Sequence, residues 1–374
     1  MRVLFAAGGT GGHINPALAA AGELRAQYPD AQILFVGTED HMEARLVPAA
    51  GFAFRTIAIE GFQRKPTLQN LKRNLHTVRL LLHTTGAVKA ILRDFKPDVA
   101  VGFGGYVSGP VIRTAARCGV KTAIHEQNAY PGVTNKALAK SADCVMLTVE
   151  AAAEHLRCKH PPVVTGLPVR REILGADRAF ARAKLGLRDE QLLVLSMGGS
   201  LGAKAVNEAV TGLIAKTWQR PDVVFLHATG KYGKWVPARL CELGVPETAA
   251  NVWVREYIDD METCLPAADL VIGRAGASSL AEIEATGKPS VLIPSPNVAE
   301  NHQYHNAMAL VRNDAARLIA EKDLTPESLT ALVESLLADR AQLRAIGENA
   351  RKMAVLDSAK VICEHIVRLA KGAD

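Results

Sequence analysis

Two stretches of the chain follow one pattern, Arg2-Val3-Leu4-Phe5-Ala6-Ala7-Gly8-Gly9-Thr10-Gly11-Gly12-His13 and Leu192-Leu193-Val194-Leu195-Ser196-Met197-Gly198-Gly199-Ser200-Leu201-Gly202-Ala203. In each stretch a short apolar run precedes a cluster of glycines, and a helical pattern follows. The apolar run predicts a buried strand, and the glycines predict a tight turn in which the backbone can approach a ligand closely. A glycine turn that leads into a helix also presents unpaired N–H groups to an anion. The repeated pattern therefore predicts two similar domains, each with a loop that can contact a phosphate or a sugar.

Both halves continue with apolar runs that alternate with helical patterns. In the first half, strands are predicted at 2–7, 32–36, 99–102 and 122–125, and helices at 15–28 and 108–118. In the second half, strands are predicted at 192–197, 223–228, 252–254, 270–272 and 290–294, and helices at 204–217, at 279–286 and from Thr325 onward. Such alternation predicts parallel sheets with helices on both faces. A length of 374 residues fits two domains, and the proline- and glycine-containing segment 161–188 is interpreted as their linker.

A third glycine loop, residues 102–109, follows another predicted strand of the first half. Ligands of open parallel sheets bind at the carboxyl ends of the strands, so two such domains facing each other would form a binding cleft. The loops alone do not identify the ligand. The first loop has Ile14 where the third glycine of Gly-x-Gly-x-x-Gly would stand, and the chain contains no Gly-x-x-x-x-Gly-Lys-Ser/Thr motif. A P-loop nucleotidase is therefore unsupported.

The positive charge of the chain is concentrated in one segment. The formal net charge is +6, but residues 63–96 hold eight basic residues and one acidic residue, so the other 340 residues sum to −1. This distribution argues against a surface built for nucleic acid.

The six cysteines are scattered and form no Cys-x-x-Cys pair, which favours reduced thiols in a cytosolic protein over a disulfide framework or a zinc site. The short apolar N-terminus is better explained as a buried strand than as a signal peptide, and no window of 18 residues is apolar enough to predict a transmembrane helix.

Taken together, the motifs resemble those of glycosyltransferase family 28, and within it the bacterial enzymes that add N-acetylglucosamine to lipid I to make lipid II. The resemblance runs in order from residue 1 to about residue 310. It rests on residues 8–13, 104–110, 125–129, Gly132 with Asn135-Lys136, Thr165-Gly166-x-Pro168-Val169-Arg170, residues 198–203, residues 273–282, and His302-Gln303 with Asn306-Ala307.

The resemblance implies the GT-B fold, in which two Rossmann-like, doubly wound parallel-sheet domains face each other across a cleft. It places an acceptor domain at 1–165, a UDP-N-acetylglucosamine domain at 166–345, and C-terminal helices at 346–374 that pack back on the first domain. The implied partners are UDP-N-acetylglucosamine, lipid I, an anionic membrane surface at the cytoplasmic face, and other cell-wall synthesis proteins. The alternatives are another UDP-sugar enzyme of this fold, such as a glycolipid synthase or a UDP-N-acetylglucosamine 2-epimerase, and a non-catalytic UDP-sugar-binding regulator.

An inverting transfer needs a base for the acceptor hydroxyl, and three residues are candidates for it. His13 is the leading candidate because it stands at the junction between glycine loop and helix. His125 and Glu126 follow a predicted strand and are its rivals, although a satisfied polar turn over 125–128 is the alternative for both. Gly104, Gly105, Tyr106 and Ser108 are assigned to the acceptor.

The other assignments concern the donor. Arg170 is expected to clamp the diphosphate, with a hinge salt bridge as the alternative, and Ser200 to contact the α-phosphate. By resemblance Glu282 binds the ribose hydroxyls, with a capping box begun by Ser279 as the alternative. The remaining donor contacts are assigned to Thr10, Gly11, Gly12, Asn128, Ile258, Met261, Ala277, Ser278 and Gln303. The chain contains no Asp-x-Asp, so no protein-bound metal and no cofactor are expected.

The basic segment is predicted to dock on the membrane. Leucines recur there at helical spacing beside cations, and the residues assigned to this contact are Lys72, Arg73, Leu75, Arg79 and Leu82. The alternative is an ordinary amphipathic helix that packs on the sheet.

Overall fold

The computed structural model describes residues 1–59 and 84–372. These residues form two compact units, Met1–Pro168 with Asp357–Asp374 (unit 1) and Val169–Leu356 (unit 2). The chain thus enters unit 2 at Val169, three residues after the expected boundary, and returns to unit 1 only at Asp357. Residues 346–353, which we expected to join the first domain, lie in a helix of unit 2.

Unit 1 is built on a seven-stranded sheet whose paired strands are all parallel. Its strands are β1 (Arg2–Ala6), β2 (Gln32–Gly37), β3 (Ala53–Thr56), β4 (Val99–Gly102), β5 (Lys121–Glu126), β6 (Cys144–Leu147) and β7 (Val163–Val164), in the order β3-β2-β1-β4-β5-β6-β7. Its helices are α1 (Gly11–Gln27), α2 (Met42–Ala49), α3 (described over 84–95), α4 (Gly105–Arg117), α5 (Val133–Leu138) and the C-terminal α15 (Ser358–Ala370), with a 3-10 turn at Glu150–His155.

Alternation along β1 explains why helices cover both faces of this sheet. Val3 and Phe5 contribute to one apolar core and Leu4 and Ala6 to the other, and all four side chains are fully buried. Side chains of a strand alternate between faces, so a strand that is apolar at every position must be covered on both sides. Residues of α1 and α15 pack in the first of these cores, and residues of α4 pack in the second.

Unit 2 repeats this plan with a six-stranded sheet, again with parallel pairing. Its strands are β8 (Leu192–Met197), β9 (Val223–Ala228), β10 (Val252–Arg255), β11 (Leu270–Gly273), β12 (Ser290–Leu292) and β13 (Arg317–Leu318), in the order β10-β9-β8-β11-β12-β13. Its helices are α6 (Arg171–Leu174), α7 (Arg178–Lys184), α8 (Lys204–Thr217), α9 (Val236–Glu242), α10 (Met261–Ala267), α11 (Ala277–Thr286), α12 (His302–Val311), α13 (Pro326–Ala338) and α14 (Arg340–Met353), with 3-10 turns at Ala299–Asn301 and Glu321–Asp323.

Most elements appear where the sequence predicts them, and the α/β class with two parallel sheets is confirmed. β8, β9, β4 and α8 have the predicted bounds. α1 and α4 begin three to four residues earlier than predicted, so that the first and third glycine loops form the first turns of helices. The predicted linker 161–188 is not unstructured, because it contains β7, α6 and α7 as well as the boundary between the units. All six cysteines are free.

Candidate active site

The predicted site residues fall into two groups, one in each unit. In unit 1 they gather at the carboxyl ends of β1, β4 and β5, which are neighbours in the sheet. The loops after β1 and β4 are pressed together. A Cβ on Gly105 would lie 2.2 Å from the carbonyl oxygen of Gly8, and Gly105 has a φ of +76°. Only glycine satisfies both requirements, so the glycine pair after β4 serves to bring this loop against the loop after β1.

His13 lies where the two loops meet. Its Nδ1 is 3.2 Å from the carbonyl oxygen of Gly8 and 3.3 Å from Oγ1 of Thr10, and its ring faces Gly104. A carbonyl oxygen accepts a hydrogen bond but cannot donate one, so the Gly8 contact favours a proton on Nδ1. Nε2 then carries the lone pair that a general base needs. The half-buried position at the carboxyl edge of the sheet agrees with the role assigned to His13.

Glu43 is a residue that the sequence did not single out. Its carboxylate is fully buried and accepts hydrogen bonds from the backbone N–H of Gly9 (3.2 Å) and from the N–H and hydroxyl of Thr38 (3.2 and 2.7 Å). A buried carboxylate needs such donors, and here one of them belongs to the glycine loop that carries His13. Glu43 therefore fixes the position of that loop. The sequence could not reveal this role, because Glu43 reads as an ordinary residue of a short amphipathic helix and its hydrogen-bond partners lie outside that helix.

The block 125–128 is a satisfied polar turn at the end of β5. His125 is fully buried, its Nε2 lies 2.9 Å from the carbonyl oxygen of Gly166, and burial lowers its pKa to about 4. The carboxylate of Glu126 accepts four hydrogen bonds, from the backbone and side chain of Asn128, from Gly132 N and from the side chain of Asn135. These contacts favour the structural alternative for His125 and Glu126. Of the three candidates for the base, the geometry therefore favours His13.

Of the four residues assigned to the acceptor, three lie where they could contact it and Ser108 does not. Gly104 and Gly105 form the loop described above, and Tyr106 packs on Gly9 and edge-on to His41. Ser108 does not fit its assignment. It is fully buried and lies in the second turn of α4 beneath β4, where a Cβ on Gly102 would be 2.2 Å from its Oγ. Its hydroxyl therefore faces the strand and cannot meet an acceptor, and α4 instead uses Ser108 as a small packing residue.

In unit 2, Arg170 and Glu282 form an ion pair. Nε of Arg170 donates to Oε1 of Glu282 at 2.9 Å, with the arginine side chain half-exposed and the glutamate side chain 17% exposed. Burial raises the pKa of Glu282 above its ordinary value, and the hydrogen bond from Arg170 offsets this only in part. The capping-box alternative for Glu282 is wrong, because α11 begins at Ala277 after an N-cap at Gly276, which places Glu282 beyond the first turn.

Glu282 lies on α11, and Arg170 directly precedes α6, which packs on α11. The N-cap Gly276 has no side-chain cap, so the N–H groups of Ala277 and Ser278 are among the helix donors without a partner inside the helix. Ser200 is exposed in the loop after β8, and β8 and β11 are neighbours whose carboxyl ends carry these two features. The arrangement offers N–H groups, a hydroxyl and a guanidinium, a set of donors suited to a diphosphate.

The remaining donor assignments are placed as follows. Ile258 is buried in the core of unit 2, so only its backbone is available to the uracil base of the donor. Met261 begins α10 and packs on the same core. The side-chain oxygen of Gln303 accepts from the N–H of Ser295 at 2.9 Å, which leaves its amide nitrogen to meet a sugar. Thr10, Gly11 and Gly12 form the N-cap and the first turn of α1. Asn128 lies in the polar turn of unit 1.

The residues assigned to the membrane, Lys72, Arg73, Leu75, Arg79 and Leu82, lie outside the described residues. None of the described helices has the length and apolarity needed to cross a bilayer. Over residues 1–59 and 84–372, no three His, Cys, Asp or Glu side chains are grouped so that they could hold a metal ion.

Comparison with known proteins agrees with the geometry. Residues 3–147 match the Glycosyltransferase family 28 N-terminal domain, and residues 193–362 match the Glycosyltransferase family 28 C-terminal domain. A protein of Desulfitobacterium hafniense (strain Y51) is 45% identical over 364 residues, which cover 97% of each chain. That protein is named UDP-N-acetylglucosamine--N-acetylmuramyl-(pentapeptide) pyrophosphoryl-undecaprenol N-acetylglucosamine transferase.

Two solved structures place the fold. The crystal structure of Acinetobacter baumannii MurG is 30% identical with a TM-score of 0.78, covering 98% of this chain and 99% of that one. A UDP-GlcNAc 2-epimerase from Neisseria meningitidis, solved with UDP-GlcNAc bound, has a TM-score of 0.66 over 98% of this chain and 100% of that one. Because its identity is only 13%, the epimerase is similar in fold alone.

Proposed function

The chain belongs to glycosyltransferase family 28, and on that premise we propose that it transfers N-acetylglucosamine from UDP-N-acetylglucosamine to lipid I, giving lipid II. The observation that carries this proposal is the 45% identity over 97% of both chains to a transferase named for this reaction. The geometry supports it, because polar groups suited to a base and to a diphosphate lie at the carboxyl ends of the two sheets. The alternative of a UDP-GlcNAc 2-epimerase has only the fold in its favour.

In the proposed reaction, the C4 hydroxyl of the acceptor's N-acetylmuramyl group attacks C1 of the donor sugar in line with the departing UDP. The hydroxyl proton passes to Nε2 of His13, and the electron pair of the broken C1–O bond goes to the diphosphate. The positive charge of Arg170 and the N–H groups at the start of α11 stabilise the diphosphate as it leaves. Attack from the face opposite the leaving group inverts the anomeric centre.

Glu282 binds the ribose hydroxyls in this scheme. The carboxylate is paired with Arg170 in the structure, so this ion pair has to break when the donor binds. Glu282 then turns to the ribose and Arg170 to the diphosphate. A carboxylate has two oxygens that can each accept from a hydroxyl, and a guanidinium has five donors, so each partner can gain as many hydrogen bonds as it loses. The same cationic and N–H groups can neutralise the diphosphate, and we propose that the reaction needs no protein-bound metal.

We also propose that the basic segment brings the enzyme to an anionic membrane surface, where its lipid-linked acceptor resides. The sequence of residues 63–96 supports this, and the described part of α3 continues the pattern. Lys89 and Arg93 are exposed four residues apart, while Val88 and Leu92 face the core of unit 1. Removal of charge at Lys72, Arg73 and Arg79 should weaken binding to anionic vesicles, and that binding should fall with added salt.

The decisive experiment is transfer of radiolabelled N-acetylglucosamine from UDP-N-acetylglucosamine to lipid I by the purified chain, in parallel with and without a chelator. Formation of labelled lipid II in both reactions is the expected result. Conversion of UDP-N-acetylglucosamine to its C2 epimer, as the UDP-sugar or as the free sugar with UDP, would identify an epimerase instead. UDP-sugar binding without any transfer would identify a binding protein without catalysis.

A further inference from the structure

A charged cavity lies in unit 2, at the amino ends of the strands of its sheet. The proposed donor site lies at the opposite, carboxyl ends of the same strands. The cavity has a volume of about 520 Å³ and is lined by residues that precede β8, β11 and β12 or begin them, together with one face of α14. The loop 198–203 and the start of α11 follow the carboxyl ends of β8 and β11, so the cavity at the amino ends is a separate place in the same sheet.

The lining of this cavity is strongly cationic. Its charged residues are Arg178, Lys288, Arg340, Arg344 and Arg351 on the positive side, and Asp269 and Glu348 on the negative side. Asp269 is already neutralised, because it pairs with Arg178 at 2.7 Å and with Arg182 at 3.0 Å. Lys288 forms part of the floor. The residue is 6% exposed, its Nζ donates to the carbonyl oxygens of Pro266 and Ala268, and burial lowers its pKa to about 7, so the arginines carry most of the charge of the lining.

The arginines of α14 have a different position. Arg340, Arg344 and Arg351 are spaced so that they share one face of the helix, and all three are exposed. Within residues 1–59 and 84–372, the guanidinium groups of Arg344 and Arg351 form no hydrogen bond or ion pair with another residue, not even with Glu348, which lies between them on α14. Their guanidinium groups are therefore available to a ligand in the cavity.

This arrangement costs α14 stability. Like charges four residues apart on a helix repel, as Arg340 and Arg344 do, and a cation in the first turn, such as Arg340, opposes the helix dipole. An anion in the cavity would reverse both effects. Guanidinium groups bind phosphate oxygens in pairs, and an open pocket of this volume can admit a small anion.

We propose that this cavity is a binding site for a small soluble anion that carries two or more phosphate groups, with Arg344 and Arg351 as its principal ligands and Lys288 in the floor. The site is separate from the donor site and does not depend on the transferase activity. Its ligand is held by charge and by the geometry of the guanidinium groups.

The probe for this proposal is tripolyphosphate, titrated calorimetrically into the full chain. The variant Arg344→Gln/Arg351→Gln should weaken binding at least tenfold. The matched control is Arg312→Gln/Lys352→Gln, which removes the same charge from exposed positions of unit 2 outside the cavity lining and should bind as the unaltered chain does. Thermal unfolding of both variants confirms that each is folded.

Binding of the probe at the proposed donor site would be equal in the two double variants, so it cannot imitate the expected result. Equal affinity in the two variants, or no binding of tripolyphosphate to the unaltered chain, would overturn the proposal. It would also be overturned if the arginine variant lost binding to anionic vesicles while keeping its affinity for tripolyphosphate, because the patch would then serve a membrane.

Discussion

At the scale of single residues, His13 is our proposed general base. It is half-buried with its Nδ1 on the Gly8 carbonyl oxygen, whereas His125 is fully buried and has both nitrogens engaged inside the protein. We expect His13→Ala to lower kcat by about 10²- to 10⁴-fold, the usual contribution of a general base, with little change in either KM. Steady-state kinetics with circular dichroism as the folding control measures this. Turnover equal to that of the unaltered enzyme would remove His13 from the mechanism.

The Arg170–Glu282 pair leads to a prediction about the donor. Glu282→Ala should raise the KM for UDP-N-acetylglucosamine by about 10- to 100-fold, since hydrogen bonds to a charged group contribute about 1.5 to 3 kcal/mol. The KM for the acceptor should stay the same. Glu208→Ala is the control, because Glu208 is a half-exposed glutamate of α8 that pairs with Lys204 on the same helix. An unchanged donor KM in Glu282→Ala would refute the assignment to the ribose.

Glu284 gives the fold a pH dependence. It is 8% exposed on α11, and burial raises its pKa to about 8. Between pH 4.5 and 8 the folded chain keeps this proton while the unfolded chain loses it, so the contribution of Glu284 to stability is lost as the pH rises through 8. The slope reaches about 1.4 kcal/mol per pH unit.

A neutral side chain at this position removes that dependence. Glu284→Gln should come within about 1 kcal/mol of the unaltered chain in urea unfolding at pH 5 and exceed it by about 4 kcal/mol at pH 8. Comparing two chains at the same pH cancels the titration of all other groups. If the difference between them were the same at both pH values, Glu284 would not carry the shifted proton.

At the scale of elements, packing between α11 and α14 depends on two glycines. A Cβ on Gly347 would lie 2.4 Å from the carbonyl oxygen of Gly287, which itself ends α11 with a φ of +60°. We expect Gly347→Ala to destabilise unit 2 by about 1 to 3 kcal/mol, because the helices must separate.

The control for this change is Gly22→Ala in α1, where no atom lies within 4 Å of the added Cβ. This change should stabilise the chain by about 0.5 to 1 kcal/mol through helix propensity alone. Urea unfolding measures both variants. A stabilising effect of Gly347→Ala would show that α14 does not approach α11 as closely as the structure has it.

Elements with a strong local signal are also those that the sequence predicts. β8 and β9 are apolar runs with a single polar residue each, Ser196 and His227, and both have the predicted bounds. β3, in contrast, is a mostly exposed edge strand, and β7 and β13 have only two residues each, so neither composition nor periodicity distinguishes them from loops. These strands exist because a neighbouring strand offers them hydrogen bonds, which is information from elsewhere in the chain.

The candidate site also divides into features that the local sequence predicts and features that depend on distant residues. The glycine loops and His13 follow from local sequence, because a turn between strand and helix dictates its residues. The role of the block 125–128 does not, since the partner of His125 is Gly166, 41 residues away. Ser108 was misassigned for the same reason: nothing in its neighbourhood reveals that α4 turns this hydroxyl toward Gly102.

At the scale of the whole molecule, unit 1 is completed by the C-terminal helix. Ile362 and Ile366 of α15 are fully buried in the core that also holds Phe5 and Ala17. Ile366→Ala should cost unit 1 about 2 to 5 kcal/mol, with little effect on unit 2. Hydrogen exchange followed by mass spectrometry should show faster exchange in β1 of Ile366→Ala than in β1 of the unaltered chain, and equal exchange in β8 of the two. The exposed Lys360→Ala is the control on the same helix. Faster exchange in both strands alike would mean that the units unfold together.

The return of the chain to unit 1 at Asp357 also sets an order in time. On the ribosome, the strands of unit 1 emerge first, but the helix that covers one face of their sheet is translated last, after all of unit 2. Domains fold as units during synthesis at about 5 to 20 residues per second, so unit 2 can be complete while its predecessor still exposes apolar side chains. We therefore expect the nascent N-terminal unit to be open to chaperones for some tens of seconds, until α15 packs on its sheet.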